Sequence, residues 1–355
     1  MGRFPSGFLL IDKPAGLTSF DVLRLLKKRF YSIGDLVENA SEVTSLNEGE
    51  VDAERKIKLK RHIRDLALGH CGTLDPFATG LLIVGVGKAT KLSQYFLGGK
   101  KVYRAILKFG SKTTSGDLTN DVIGTTAKVP TDMEEIRRRL HEFTDLPYYQ
   151  TPPMSSAKKV GGEKLYVLER QGITVDRVAE LREISEPKIY SFCPPILDFQ
   201  VKVSSGTYIR VLGEDLAEKC GSLGHLVELR RLESSRFIVK SAIPVGEVTW
   251  ETFSASGFSP ESTELTEQPI KNEGPFIPFD SIFSNKESIL ISDSVAHELR
   301  LGRQGVLSSL PLPAGDSYSG AIPLKLESSG KLLTLIRYRE EKKEWRTDHV
   351  FSDEL

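Results

Sequence analysis

The densest concentration of residues able to do chemistry lies in GHCGTLDPFATGLLIVGVGKATKL, Gly69 to Leu92, where glycines and one proline crowd a short apolar strand more than packing requires. Asp75, before Pro76, is the carboxylate such a turn would present, although Asp–Pro also starts ordinary turns. GVGKAT is not a phosphate loop. That pattern is GxxxxGK[ST], but here Lys88 precedes Ala89 and Gly80 stands seven, not five, positions before Gly87. His62 and His70 lack the HExxH or paired-histidine spacing of a metal site.

Three further positions have types suited to a site: Lys13 in DKPAGLTS, Tyr103 in KVYRA and Arg210 in SGTYIR. Each has an ordinary fate as well. A lysine on a turn is usually solvated, a tyrosine alternating in a strand is usually core, and an arginine at a strand end usually makes a surface ion pair. Spacing alone does not bring the four into one pocket.

The elements that must carry them are read from periodicity. Phe8 to Ile11 is a strand ended by a Pro14/Gly16 turn. Asp21 to Phe30 follows as a helix with Val22, Leu23, Leu25, Leu26 and Phe30 apolar and Arg24, Lys27, Lys28 and Arg29 basic. Leu81 to Val86 and Val102 to Phe109 read as strands joined by a helical Lys88–Leu97, and Met133 to Phe143 as a helix. Gln150 to Tyr166 reads as a loop leading into a short helix. Ile196 to Val203 and Thr207 to Val211 read as a hairpin about Ser204-Ser205-Gly206, with helices at Leu212 to Lys219 and Leu223 to Leu229. A Ser/Thr/Glu/Pro-rich stretch from Thr252 to Pro275 reads as a linker. Beyond it, short strands at Ile289–Ile291, Gly305–Leu307 and Leu332–Tyr338, with a helix at Val295–Leu301, predict a small mixed or barrel-like unit.

At 355 residues, 39% hydrophobic and 27% charged, the chain is long enough for two globular domains and is neither disordered nor collagenous. Lys plus Arg and Asp plus Glu both number 48, so overall charge argues for no nucleic-acid partner. The balance hides a bipolar region. Ser32 to Glu54 holds seven acids and no base and reads as a mobile insertion, and Arg55 to Arg64 then holds six bases and no acid. Cys71, Cys193 and Cys220 form no CxxC pair, which argues against a disulfide framework or a zinc site. No signal or membrane segment is read, so a soluble, cytoplasmic protein is expected.

GHCGTLDPFATGLL resembles the signature of the TruB-type tRNA pseudouridine synthases, which isomerise uridine 55 in the T-loop of tRNA. DKPAGLTSFD, KVYRA, GDLTNDVIG, QTPPMSSAKKVGG, SGTYIRVLGEDL and CGSLGHLVELRRLESSRF each resemble a block of that family, in order. The resemblance implies an α+β catalytic domain over residues 1–250 with a large bent, mostly antiparallel sheet. A linker at 251–275 and a small PUA-like RNA-binding barrel at 276–355 would complete the chain. It implies that Asp75 is the essential aspartate, Tyr103 the active-site tyrosine, Arg210 the arginine paired with the aspartate, and Lys13 the lysine of the first motif. His70 matches the family histidine near the place vacated by the flipped nucleotide.

Three positions depart from the family pattern: Ser155 stands where tyrosine is usual, and Leu232 and Ser235 where threonine and glycine are usual. These departures touch the RNA-loop geometry rather than the four chemical residues. The implied chemistry breaks the N1–C1′ bond and joins C5 to C1′ with no redox change, so no cofactor and no metal are expected. The aspartate would attack C1′ or assist elimination of the base, and an arginine beside it would keep it charged and oriented. The nucleotide must be flipped out of the folded T-loop, at a cost of a few kcal/mol of stacking. Lys158, Lys159, Lys164, Arg230 and Arg231 are the candidate phosphate contacts. The expected partner is tRNA through its T-stem-loop; no membrane or protein partner is implied, and a monomer is expected. The competing class is a non-catalytic RNA-binding or tRNA-chaperone protein of the same fold, against which Asp75, Tyr103 and Arg210 all stand intact. A synthase of a guide-RNA particle is a further alternative, disfavoured by the absence of a basic tail.

Overall fold

The computed structural model describes residues 5–42, 66–249, 251–254, 274–283, 288–310 and 321–351. The basic run Arg55–Arg64 and most of the linker lie outside them.

The run FLLI sits at the centre of the first strand, β1 (Gly7–Lys13), and does not alternate because both faces of that strand are covered. Leu9 and Ile11 face the main core, with Val22, Leu26 and Phe30 of helix α1 (Ser19–Glu42) packed among them. Phe8 and Leu10 face a second cluster on the other side, with Phe279, Ile282, Phe283, Leu335 and Phe351 from the C-terminal part of the chain. Helix α1 does not end at Phe30 as its apolar pattern suggests. It continues through Ser32–Glu42, so the first part of the acidic segment is helical; the remainder, 43–54, lies outside the described residues.

β1 belongs to a ten-stranded mixed sheet. Its main order is Ile184–Cys193, Ile196–Val203, β4 (Lys101–Phe109), Gly224–Ser234, β3 (Thr79–Val86), β1 and Ile243–Pro244. Pairing is antiparallel except between Gly224–Ser234 and β3 and between β1 and Ile243–Pro244. The short strand β2 (Leu68–His70) extends β3, and Phe276–Pro278, from beyond the linker, pairs with β1. The helices Ser19–Glu42, Met133–Asp145 and Ile209–Lys219 pack on the main-core face of this sheet, in the expected α+β class.

Several expectations need correcting. Leu223–Leu229 is strand, not helix, because Gly224–Ser234 fills the slot between β4 and β3. Thr207–Val211 is not the second arm of a hairpin, since the helix Ile209–Lys219 begins within it. Gly305–Leu307 is a 3-10 turn rather than a strand. Ser235 adopts φ +54°, a left-handed conformation in which glycine is the unstrained residue.

The C-terminal part forms a four-stranded sheet, ordered Ile289–Ile291, Ile322–Leu326, Leu332–Arg339, Glu344–Val350, with the helix Asp293–Arg300 against it. Ile291, Leu299, Leu324, Ile336 and Trp345 fill its own core. Among the described residues, no helix is long and apolar enough to cross a membrane.

Candidate active site

Asp75 lies in the turn between β2 and β3, where Ala78 donates its backbone N–H to the Asp75 carbonyl at 3.1 Å. Two elements pin this turn. The hydroxyl of Ser19, the first residue of α1, accepts from the Leu74 N–H at 2.9 Å and donates to the Leu74 carbonyl at 3.2 Å. Lys13, the last residue of β1, is fully buried rather than solvated. Its Nζ donates to the carbonyls of Pro14 (2.9 Å), Leu17 (2.7 Å) and Pro76 (3.2 Å), all three protons of an ammonium. Burial lowers its pKa to about 8, with the Asp75 charge acting in the opposite direction.

A second residue expected on the surface braces the same turn from below. Arg231 is 1% exposed, and its guanidinium donates to the carbonyls of Leu81 (2.7 Å), Gly72 (3.2 Å) and Thr73 (3.4 Å). Its expected role as a phosphate contact is therefore corrected: every reach of the fork ends on a backbone carbonyl, one of strand β3 and two of the loop before Asp75. Gly80 lets the two strands approach, since a Cβ there would sit 2.3 Å from the Arg231 carbonyl oxygen, and its φ is +100°.

The partner of Asp75 comes from the helix Ile209–Lys219. Arg210 is 4% exposed, with Nε 2.9 Å from Asp75 Oδ2 and Nη2 3.3 Å from Oδ1. The rest of the guanidinium is held by the Ser115 carbonyl and the Ser155 hydroxyl, both 2.7 Å from Nη1, and by the Ser155 carbonyl 3.3 Å from Nη2. Nε also lies 3.7 Å from Oδ2 of the buried Asp117, which itself accepts from the Ser115 hydroxyl and from the N–H and hydroxyl of Thr119. The Arg210 helix has no side-chain cap of its own at Tyr208. The Gln150 side-chain amide substitutes, accepting from the Tyr208 N–H (2.8 Å) and donating to its carbonyl (3.0 Å).

Tyr103 on β4 is 9% exposed and shares one apolar cluster with Leu74, Phe77 and Ala78 of the Asp75 turn and with Ile209 beside Arg210. Asp75, Arg210 and Lys13, which spacing could not relate, are thus joined through hydrogen bonds at one turn, and Tyr103 stands opposite Arg231 in the strand register. His70 ends β2; its Nδ1 is buried without a hydrogen-bond partner, and burial, then the Arg231 charge, lowers its pKa. Ser19, Ser115, Asp117 and Gln150 were not singled out by sequence reasoning, and Ser155 stood out only as a departure from the family pattern. Four of the five lie in quoted blocks and Ser115 lies just before one, but such polar side chains carry no signal until their partners are known.

The remaining cationic candidates differ from one another. Lys158 is paired with Glu180, which also holds Arg182. Arg230 makes a two-pronged bond to Asp12, at 3.0 and 2.6 Å. Lys159 and Lys164 are exposed and face each other across a short hairpin. Among the described residues no three His, Cys, Asp or Glu side chains gather as a metal site would require.

A partly exposed Asp held in two places by a buried Arg is an arrangement for one oriented carboxylate acting on a bound substrate. Residues 60–209 match the family described as TruB family pseudouridylate synthase (N terminal domain). A protein of Sinorhizobium medicae named tRNA pseudouridine synthase B is 30% identical over 353 residues, covering 99% of this chain and 97% of that one. One of the same name from Caldicellulosiruptor saccharolyticus is 36% identical over 239 residues, 67% of this chain and 70% of the other. Among solved structures, a Cbf5-Nop10-Gar1 complex superposes with a TM-score of 0.57 at 20% identity, over 99% of this chain and 85% of that chain, a likeness of fold.

Proposed function

The chain belongs to the TruB family of pseudouridylate synthases, and from that premise we propose that it isomerises uridine 55 in the T-loop of tRNA to pseudouridine. The observation that carries the reading is the pairing of Asp75 with Arg210, a buried guanidinium whose other donors are all engaged by protein oxygens. That carboxylate cannot rotate away without stranding a charge, so it is oriented before substrate arrives.

The target nucleotide is flipped from the T-loop onto the Asp75 turn, and Tyr103 stacks on its base. N1–C1′ breaks, the base turns, and C5 bonds to C1′; the C5 proton is then lost to a base, the role this reading gives to Tyr103, and N1 ends protonated. Asp75 serves either route, as nucleophile at C1′ or as the group that promotes elimination. Lys13 positions the turn through the Pro76 carbonyl. His70, with its unpartnered Nδ1, fills the gap left in the T-loop. No atom is gained and no electron transferred, so no cofactor is required.

In this reading residues 1–250 are the catalytic domain, 251–275 the linker and 276–355 a PUA-like RNA-binding unit of a cytoplasmic monomer. Lys158, Lys159, Lys164 and Arg230 serve the RNA backbone, Lys158 and Arg230 by exchanging Glu180 and Asp12 for phosphate. The test is to map pseudouridine in a T-stem-loop transcript after incubation with the purified protein and no additive. One pseudouridine at the position equivalent to 55 is expected. RNA that is bound but unmodified would favour the non-catalytic chaperone.

A further inference from the structure

Helix α1 starts against the catalytic turn, where Ser19 holds both backbone groups of Leu74. From there it carries residues the proposed reaction leaves unused. Phe20, Arg24, Lys27, Lys28 and Tyr31 recur at helical spacing and line one groove of about 440 Å³. Its floor is Leu23 with Leu68 of β2. Leu68 is two residues from His70 and so shares its face of the strand. The groove therefore begins at the rim of the Asp75 site and runs for about 16 Å along the helix, the rise of eleven residues.

The lining is chemically one-sided. Three of its residues are cationic and none is acidic. Phe20 is 62% exposed, an unusual place for a phenyl ring, and the Arg24 guanidinium stands over it at 5.7 Å from the ring centre. Asp21, the neighbouring acid, is engaged by Arg24 and Thr18. An aromatic face between cations, with an apolar floor, suits a chain of alternating flat bases and phosphates, because stacking is indifferent to sequence and the phosphates neutralise the lysines.

Lys27 donates to the Leu66 carbonyl at 3.1 Å. We propose that this groove binds the unpaired RNA strand flanking the target uridine, with a base stacked on Phe20 and phosphates on Arg24 and Lys28. The inference rests on the pseudouridine synthase reading and deepens it: α1 holds the strand that leads into the site. Complementarity selects RNA over a peptide, since the charged residues lining the groove are all cationic and a protein occupant would itself have to be acidic.

The test uses the full chain and an unmodified T-stem-loop, with affinity measured across a salt series. Arg24→Ala/Lys28→Ala should weaken binding at least tenfold and make the log–log salt slope shallower by up to about two units, one per lost phosphate contact. Phe20→Ala should weaken binding by about fivefold or more and leave the slope unchanged, while Phe20→Tyr, which keeps an aromatic face, should bind like wild type. Single-turnover rates at saturating RNA should stay within about twofold in all three, because none of these side chains belongs to the catalytic group, and melting temperatures should match wild type. Unchanged affinity and salt slope in both the double variant and Phe20→Ala would overturn the proposal, including the case in which the groove serves an acidic protein. Wild-type protein that makes no pseudouridine would instead refute the underlying reading, and the binding series would still judge the groove.

Discussion

Arg210 meets Asp75 edge-on, its Nε 2.9 Å from Oδ2 and its Nη2 3.3 Å from Oδ1, across a separation of 135 residues. The same guanidinium has its Nη1 fully spent on Ser115 and Ser155. Its position is therefore set by the protein, and the carboxylate conforms to it. This order of dependence determines how the site should respond to substitution.

Asp75→Asn keeps the shape of the side chain but removes its charge and its nucleophilicity. Pseudouridine formation should fall to background while RNA affinity changes by no more than a few-fold. Appreciable turnover in this variant, measured by single-turnover assay, would remove Asp75 from the chemistry.

Arg210→Lys retains a cation but cannot span Asp75, Ser115 and Ser155 together. Misplacing the carboxylate by about 1 Å should lower the single-turnover rate roughly a hundredfold. The buried Asp117 also loses the guanidinium that lies 3.7 Å from it, so the melting temperature should fall as well. A variant with near-normal rate would show that Asp75 is oriented by something other than Arg210.

Lys13 links pH to stability. Its pKa is lowered to about 8 by burial, so between about 8 and the ordinary 10.5 the unfolded chain holds a proton that the folded chain has lost. Stability therefore rises with pH across that window, and the cost of burying the charge is fully present below it. Lys101 is shifted in the same sense, so the informative quantity is the difference between wild type and Lys13→Met. That difference should move in favour of wild type from pH 8 to 10 by at most about 1.4 kcal/mol per pH unit in denaturant titrations. A flat difference would mean Lys13 titrates normally.

Ending the chain at the linker would remove Phe279, Ile282, Phe283, Leu335 and Phe351 from the face of the sheet that carries Phe8, Leu10 and Ile83. It would also break the Tyr95–Asp348 hydrogen bond and the stacking of Arg337 on Tyr95. At roughly 1.5–3 kcal/mol per large apolar side chain, the exposure rivals the whole stability of a domain. The truncated protein should be insoluble or melt far below the full chain. A soluble truncation with unchanged melting would show that this face needs no cover.

The amino-acid sequence by itself determined the local features: the FLLI strand, the start of α1, the Asp75–Pro76 turn and the identity of the residues facing it. Each depends on neighbours a few positions away, where turn chemistry and periodicity act directly. Tertiary structure decided the rest. HLVELRRL has an apolar spacing close to a helix, but the segment is a central strand. Its register slips between Leu226 and Glu228 and again between Arg231 and Glu233, and such bulges break the two-residue alternation that announces a strand. TYIRV has β-branched residues suited to a strand, but the Gln150 amide clamps Tyr208 and turns the chain into the helix that presents Arg210. Arg230 and Arg231 are indistinguishable as a basic pair in the sequence. One bridges to Asp12 at the surface, and the other is buried under the Asp75 turn. Adjacent residues of a strand point to opposite faces, and only the packing of distant segments settles which face is inside.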